Sequence, residues 1–181
     1  TGFNVFYDHE FPDDHKRNGA GIELVSSVFQ LRANQYNGTT DYIKDKSGTD
    51  SKALDGSDMS LSVALPYMPG MKFGVNAFTW KGIDGMQDQK GRKYTLGGNL
   101  SDNLSLHYLR TDYELASKKD TDSIVLNYTW NFGQSNTKPK LFEFSSSAYE
   151  LKKLGDERYS LVQRENRIIK KKSGVLTISG I

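Results

Sequence analysis

The feature that most constrains this chain is an alternation of apolar and polar residues, interrupted at intervals that are alternately short and long. Between Gly2 and Phe132 eight segments repeat with a period of two. Their expected limits are 2–8, 17–25, 29–41, 58–67, 71–81, 92–100, 104–113 and 121–132. Short joints fall at Ser26-Ser27, at Met68-Pro69-Gly70 and at Ser101-Asp102-Asn103. The joints between them are long and charged: His9 to Lys16, Ile43 to Ser57, Gly82 to Arg92 and Glu114 to Asp120. Short turns at one end and long polar loops at the other are the pattern of an antiparallel outer-membrane β-barrel.

Composition fits that expectation. Mean hydropathy is −0.63 and no run approaches the roughly 18 apolar residues of a membrane-spanning helix. A barrel strand needs apolar residues on one face only, so low hydropathy does not argue against it. Met59, Leu61, Val63, Leu65 and Tyr67 alternate with Ser60, Ser62, Ala64 and Pro66. Ile124, Leu126, Tyr128, Trp130 and Phe132 alternate with smaller or polar residues in the same way. Leu61, Val63, Leu126 and Tyr128 are therefore expected to face lipid. In a soluble sandwich the same apolar face would meet a core, and period alone does not separate the two.

Ring positions and charge favour the membrane. Phe3, Phe29, Tyr67, Trp130 and Phe132 sort to the short-turn end, and Tyr7, Tyr94 and Tyr108 to the other, as two aromatic girdles would. A turn at Ser26-Ser27 sets Leu24 opposite Phe29, Ile22 opposite Leu31 and Ala20 opposite Ala33. The other face then carries Arg17, Gly19, Gly21 and Glu23 against Gln30, Arg32 and Asn34. Charges at strand centres are costly in a dry core and acceptable in a wet lumen. Glu23, Arg32, Asn34, Asn76 and Asn127 are the residues expected to line it.

Beyond Phe132 the alternation stops. Gly133 to Lys140 reads as a polar linker. Ser147-Ala148-Tyr149-Glu150 is a capping box, which predicts a helix from Ala148 to about Leu154, with Gly155 as its stop. Two turns are not stable free in water, so this helix needs surroundings. Tyr159 to Ile168 reads as extended, and Gly174 to Ser179 as a strand. The chain carries +2 net, while residues 138–172 hold ten Lys/Arg against five acids. Those lysines sit among acids with few aromatics, so a solvated linker is the reading, with no nucleic-acid partner.

Catalytic chemistry is not written in the residues. There is no Cys, hence no thiolate ligand, nucleophile or disulfide framework. His9 and His15 share a loop with Asp8, Glu10, Asp13 and Asp14. A divalent cation is conceivable there, and a mixed-charge surface loop is the plainer reading. His107 stands beside Ser105 in a strand, without a base–nucleophile partnership. Leu96-Gly97-Gly98-Asn99 lacks the setting of a phosphate loop and reads as strand glycines that relieve crowding. No catalytic residue, metal ligand or cofactor is expected. Thr1-Gly2-Phe3 opens directly on strand pattern without a leader, so the expectation is a chain truncated at its N-terminus.

Several runs resemble one family. GFNVFYDHE (2–10) is similar to a "G-x-N-x-F-x-D-x-D/E" strand of the inverse autotransporters, the intimin/invasin group of adhesins. Gly19 to Glu23 resembles its "G-x-G-x-E", Phe29 to Tyr36 its "L-x-L-x-A-N-x-Y", and Leu65-Pro66 its "Y-L-P". GDERYSLVQRENRII (155–169) resembles "R-Y-x-L-V-x-R-N-N-x-I", with Glu165 in place of an Asn. Ile169 to Lys172 lacks the usual "L-E-Y" before the lysines. The resemblance implies an outer-membrane translocator and anchor, eight strands of a twelve-stranded barrel. It implies three parts: barrel (1–133), a linker threading the lumen (134–172), and the first strand of a passenger (173–181). Ala148, Tyr149, Leu151, Leu154 and Tyr159 would then be linker residues inside the lumen. Implied partners are outer-membrane lipid and the barrel-assembly machinery, with a host-cell receptor reached only through a passenger absent here. The alternatives are a stand-alone eight-stranded porin-like barrel and a soluble β-sandwich binding module.

Overall fold

The computed structural model describes residues 1–44, 48–130, 140–149, 151, 164–172 and 175–177. Alternation produces strands wherever it was expected: β1 (Gly2–His9), β2 (Lys16–Val25), β3 (Phe29–Gly38), β6 (Gly56–Leu65), β7 (Met68–Trp80), β8 (Gln89–Asn99), β9 (Leu104–Tyr113) and β10 (Thr121–Tyr128). They form one antiparallel sheet in the order β1-β2-β3-β6-β7-β8-β9-β10. Every neighbour in the sheet is the next of these strands along the chain, so the sheet is a meander. β1 and β10 are its edges. The last expected strand ran to 132; β10 stops at Tyr128, and 131 and 132 lie outside the described residues.

The sheet is packed inside out. Phe3 and Val5 are each 73% exposed and Ile124 is 75% exposed, and Ile22, Leu61, Leu126 and Tyr128 also stand outward. On the other face Arg17 and His15 are fully buried, with Arg32, Asn34 and Asp58 nearly so. Since successive side chains in a strand point to opposite faces, this contrast is a property of the whole wall.

Two turns differ from the sequence reading. β2 and β3 pair Leu24 with Leu31, Ile22 with Ala33 and Ala20 with Gln35, two residues away from the expected register. The turn is longer than Ser26-Ser27: Ser26 N–H donates to the Phe29 carbonyl, and Ser26 Oγ accepts from Val28 N–H. The slip is even, so every side chain keeps its face. The second joint lies at Pro66-Tyr67, ahead of Met68-Pro69-Gly70, with Tyr67 at φ 62°. Leu65 pairs Met68 while Ala64 pairs Lys72, so β7 bulges around Pro69, which has no N–H to give the ladder. At Gly98 a side chain would run into the Gly70 carbonyl oxygen, which explains a glycine there.

The long joint from 39 to 55 holds an element that alternation did not reveal. β4 (Ile43–Lys44) and β5 (Asp50–Ala53) form a hairpin. β5 also pairs with β11 (Lys170–Lys172), which pairs with β12 (Val175–Thr177). The result is a second, four-stranded sheet in the order β12-β11-β5-β4. Val175–Thr177, within the expected first strand of a passenger, pairs with β11. No described residue is helical. Ala148, Tyr149 and Leu151 carry no helix, while 150 and 152–154, the rest of the expected helix, lie outside the described residues. Among the described residues no helix is long and apolar enough to cross a membrane, which says nothing of strands.

Candidate functional site: a clasp on the polar face

On the polar face the inward residues of β1 are Gly2, Asn4, Phe6 and Asp8, and Arg17 stands on β2 directly across from Asp8. Arg17 Nη2 lies 2.6 Å from Asp8 Oδ2. The same guanidinium donates to the carbonyls of Arg167 (2.9 Å) and Glu165 (2.7 Å). Arg164 reaches the other Asp8 oxygen at 2.7 Å, so one carboxylate sits between a wall arginine and a C-terminal one. The planar, multiply donating guanidinium suits this: it satisfies a carboxylate and two backbone carbonyls at once. Arg17 also lies 4.5 Å over the Tyr36 ring and Arg164 lies 4.2 Å over the Phe6 ring.

Below this pair a chain of hydrogen bonds runs into the wall. Glu165 N–H donates to Tyr36 Oη at 2.9 Å, Tyr36 O–H donates to Asp58, and Asn34 Nδ2 donates to Asp58 at 3.1 Å. Tyr36, Leu54, Trp80 and Ile169 make a small apolar cluster at the long-joint end, flanked by Phe6, Phe78 and Ile83. Removing the hydroxyl in Tyr36→Phe leaves Asp58 without its O–H donor and the Glu165 N–H without its acceptor. The expected cost is about 1–3 kcal/mol, read from denaturant unfolding of the refolded protein.

Above the cluster, Leu54 N–H donates to the Ile169 carbonyl at 2.8 Å. Lys170 Nζ lies 2.8 Å from Glu10 and 3.1 Å from Asp13. Lys171 Nζ lies 2.9 Å from Asp84 and donates to the Ile83 carbonyl at 3.2 Å. Tyr42 O–H also donates to Asp84. Those two donors, Tyr42 first, hold the Asp84 carboxyl below its usual range, and Asp84 in turn raises Lys171. The acidic loop considered for a cation is thus occupied by side chains: Glu10 and Asp13 by Lys170, Asp14 by His9 and Lys16. His15 turns away to Ser51, 2.8 Å from Nε2, and burial pushes its pKa down.

The opposite end of the face is engaged by residues 140–149. Leu141 N–H donates to the Asn99 carbonyl, Ser145 N–H to the Tyr67 carbonyl, and Tyr67 N–H to the Ala148 carbonyl. Between the two ends lies a cavity of about 650 Å³, lined in part by Arg32, Asn76, His107, Ala148 and Tyr149. Glu23 pairs with Arg32 at 3.3 Å, and Arg32 also donates to Gln30. Asn127, on the edge strand β10, is exposed and shares the face of Val125 by alternation. Leu151 is exposed, and Leu154 and Tyr159 lie outside the described residues.

Sequence reasoning put Arg17 on the polar face but missed Asp8, Tyr36, Asp58 and the lysines as its companions. Parity along β1, β3 and β6 carried the signal for the first three. Nothing local carried it for Lys170 and Lys171, whose partners lie more than 80 positions away.

An antiparallel meander with an exposed apolar face and a polar face, with residues 140–149 and 164–171 bonded to its two ends, has the architecture of a membrane β-domain. The chain belongs to the inverse autotransporter β-domain family, which it matches over residues 1–166. It is similar to intimin of Escherichia coli O127:H6 (28% identical) and of E. coli O157:H7 (26%), each over 98% of this chain. Intimin of Citrobacter freundii is 27% identical over the same share. The chain spans 20% of the length of these relatives. Its fold also resembles a solved chain described under "Unveiling the Mechanism Behind the in-meso Crystallization of Membrane Proteins". That match has a TM-score of 0.75 and 19% identity, and it covers 94% of this chain and 73% of the other.

Proposed function

We propose that this β-domain is part of a bacterial outer-membrane barrel that anchors and displays a C-terminal adhesin passenger. In this reading 1–133 is wall, 134–172 threads the lumen from the short-turn end to the long-joint end, and 173–181 opens the passenger. Outer-membrane lipid covers the apolar face, and the barrel-assembly machinery inserts it. A host-cell receptor is met only through the passenger. The closed ladder would leave no unpaired backbone in lipid. No step of this role calls for a catalytic residue or a cofactor.

One observation carries the reading. Residues 140–149 are bonded at one end of the polar face and 164–171 at the other, so the same chain lies against both ends of the sheet, as a threaded segment would. Single cysteines at Leu151 and Val175 in the full-length protein test it. Val175→Cys is expected to react with an impermeant maleimide on intact cells, and Leu151→Cys only after the outer membrane is opened. The reverse pattern would sink the proposal.

A further inference from the structure

Three long joints meet around residues 170 and 171. The β1–β2 joint supplies Glu10 and Asp13 to Lys170, which is 1% exposed. The β7–β8 joint supplies Asp84 and the Ile83 carbonyl to Lys171. The hairpin in the β3–β6 joint supplies the backbone, Ala53 paired with Lys170 and Lys52 with Lys171. Two residues thus fasten three loops that belong to different hairpins.

Some links between the loops bypass the segment. Tyr42 bonds Asp84, His15 bonds Ser51, and Thr39 N–H donates to the Lys16 carbonyl. Glu10 and Asp13 are different. Both point at one ammonium, and their side chains are only 24% and 18% exposed. With that ammonium gone, two half-buried carboxylates face one another across the space it filled. Like charges so placed repel, and poor hydration increases the penalty. The β1–β2 joint therefore has a reason to swing away whenever Lys170 is not seated. Lys171 does the corresponding work on the far side, drawing the β7–β8 joint toward the hairpin.

We propose that Lys170 and Lys171 close the outer mouth: the three joints shut around the emerging segment only when both ammoniums are seated. Closure is then coupled to the arrival of this stretch of chain, and the pore seals when passage is complete. This rests on the threaded reading above and adds a sealing step to it.

The test uses the full-length protein, in cells and reconstituted into planar lipid bilayers. Lys170→Met and Lys171→Met, singly and together, keep chain length and bulk but remove the charges. The expected result is an increased steady ion current over the parent. Cells should also gain sensitivity to a large antibiotic that the intact outer membrane excludes. Labelling at Val175→Cys should stay on the outside. Exchanging the partners in D84K/K171D should return the current toward the parent's. Heat-dependent gel migration reports barrel folding separately. If the double variant does not fold, K171M is decisive, because the carboxylate it leaves unpaired, Asp84, is exposed to solvent. Folded variants that pass no more current than the parent would overturn the sealing role. Failure of Val175→Cys in the parent to label from outside would instead overturn the threaded reading.

Discussion

Replacing Arg17 with methionine is expected to cost about 3–5 kcal/mol of unfolding free energy, the range for removing one partner of a buried ion pair. The guanidinium is fully buried and serves Asp8 together with the carbonyls of Glu165 and Arg167. Methionine fills much of the space and supplies none of those donors. Asp8 keeps Arg164, which draws the effect toward the lower end of the range. Arg17→Lys should recover only part of the loss, because an ammonium cannot reproduce the fork that spans two carbonyls and a carboxylate. Urea unfolding of the detergent-refolded protein, followed by tryptophan fluorescence, measures it. A change of about 0.5 kcal/mol, as at an ordinary surface position, would show that the clasp contributes little.

Placing arginine at Leu61 is expected to cost about 2–4 kcal/mol of membrane-inserted stability, the range for a charge facing lipid near the bilayer centre. Leu61 lies on the outward face of β6 at 45% exposure. Ser62, the next residue, points to the opposite face, the one that carries Gln30, Arg32 and Asn76. The same substitution there should be tolerated within about 0.5 kcal/mol, because that side chain enters a polar space. Folding into vesicles compares the two. Equal defects at both neighbours would contradict a wall with one lipid face and one wet face.

These two neighbours also show what was legible beforehand. Period two is a local property, written in each strand without reference to its partners, so facing could be read for Leu61, Arg32 and Asn34 alike. Register is not local. It depends on how a turn closes, and the Ser26 hydroxyl that caps Val28 moved the β2–β3 pairing by two without altering any face. The β4–β5 hairpin escaped notice because its strands are short and polar, and because its pairing partner β11 lies beyond residue 169. A capping box at Ser147 favoured helix locally. The described residues there lend Ser145 and Ala148 to the Tyr67 turn, a tertiary contact that local propensity does not register, and most of the expected helix lies outside the described residues.

The inside-out packing has a thermal consequence. In a soluble domain, hydrocarbon moves into water on unfolding, which gives a large heat-capacity increment and a strongly domed stability curve. Here Phe3, Val5, Ile22 and Leu126 already stand on the outer surface of the folded sheet, so unfolding in detergent takes none of them out of a packed core. What separates from its partners on unfolding is largely polar: Arg17, Asp8, Asn34, Asp58, Lys170. Exposure of polar groups lowers the heat capacity and offsets the apolar increment. The stability curve of a wall built this way should therefore bend less with temperature, closer to a straight line than to a dome.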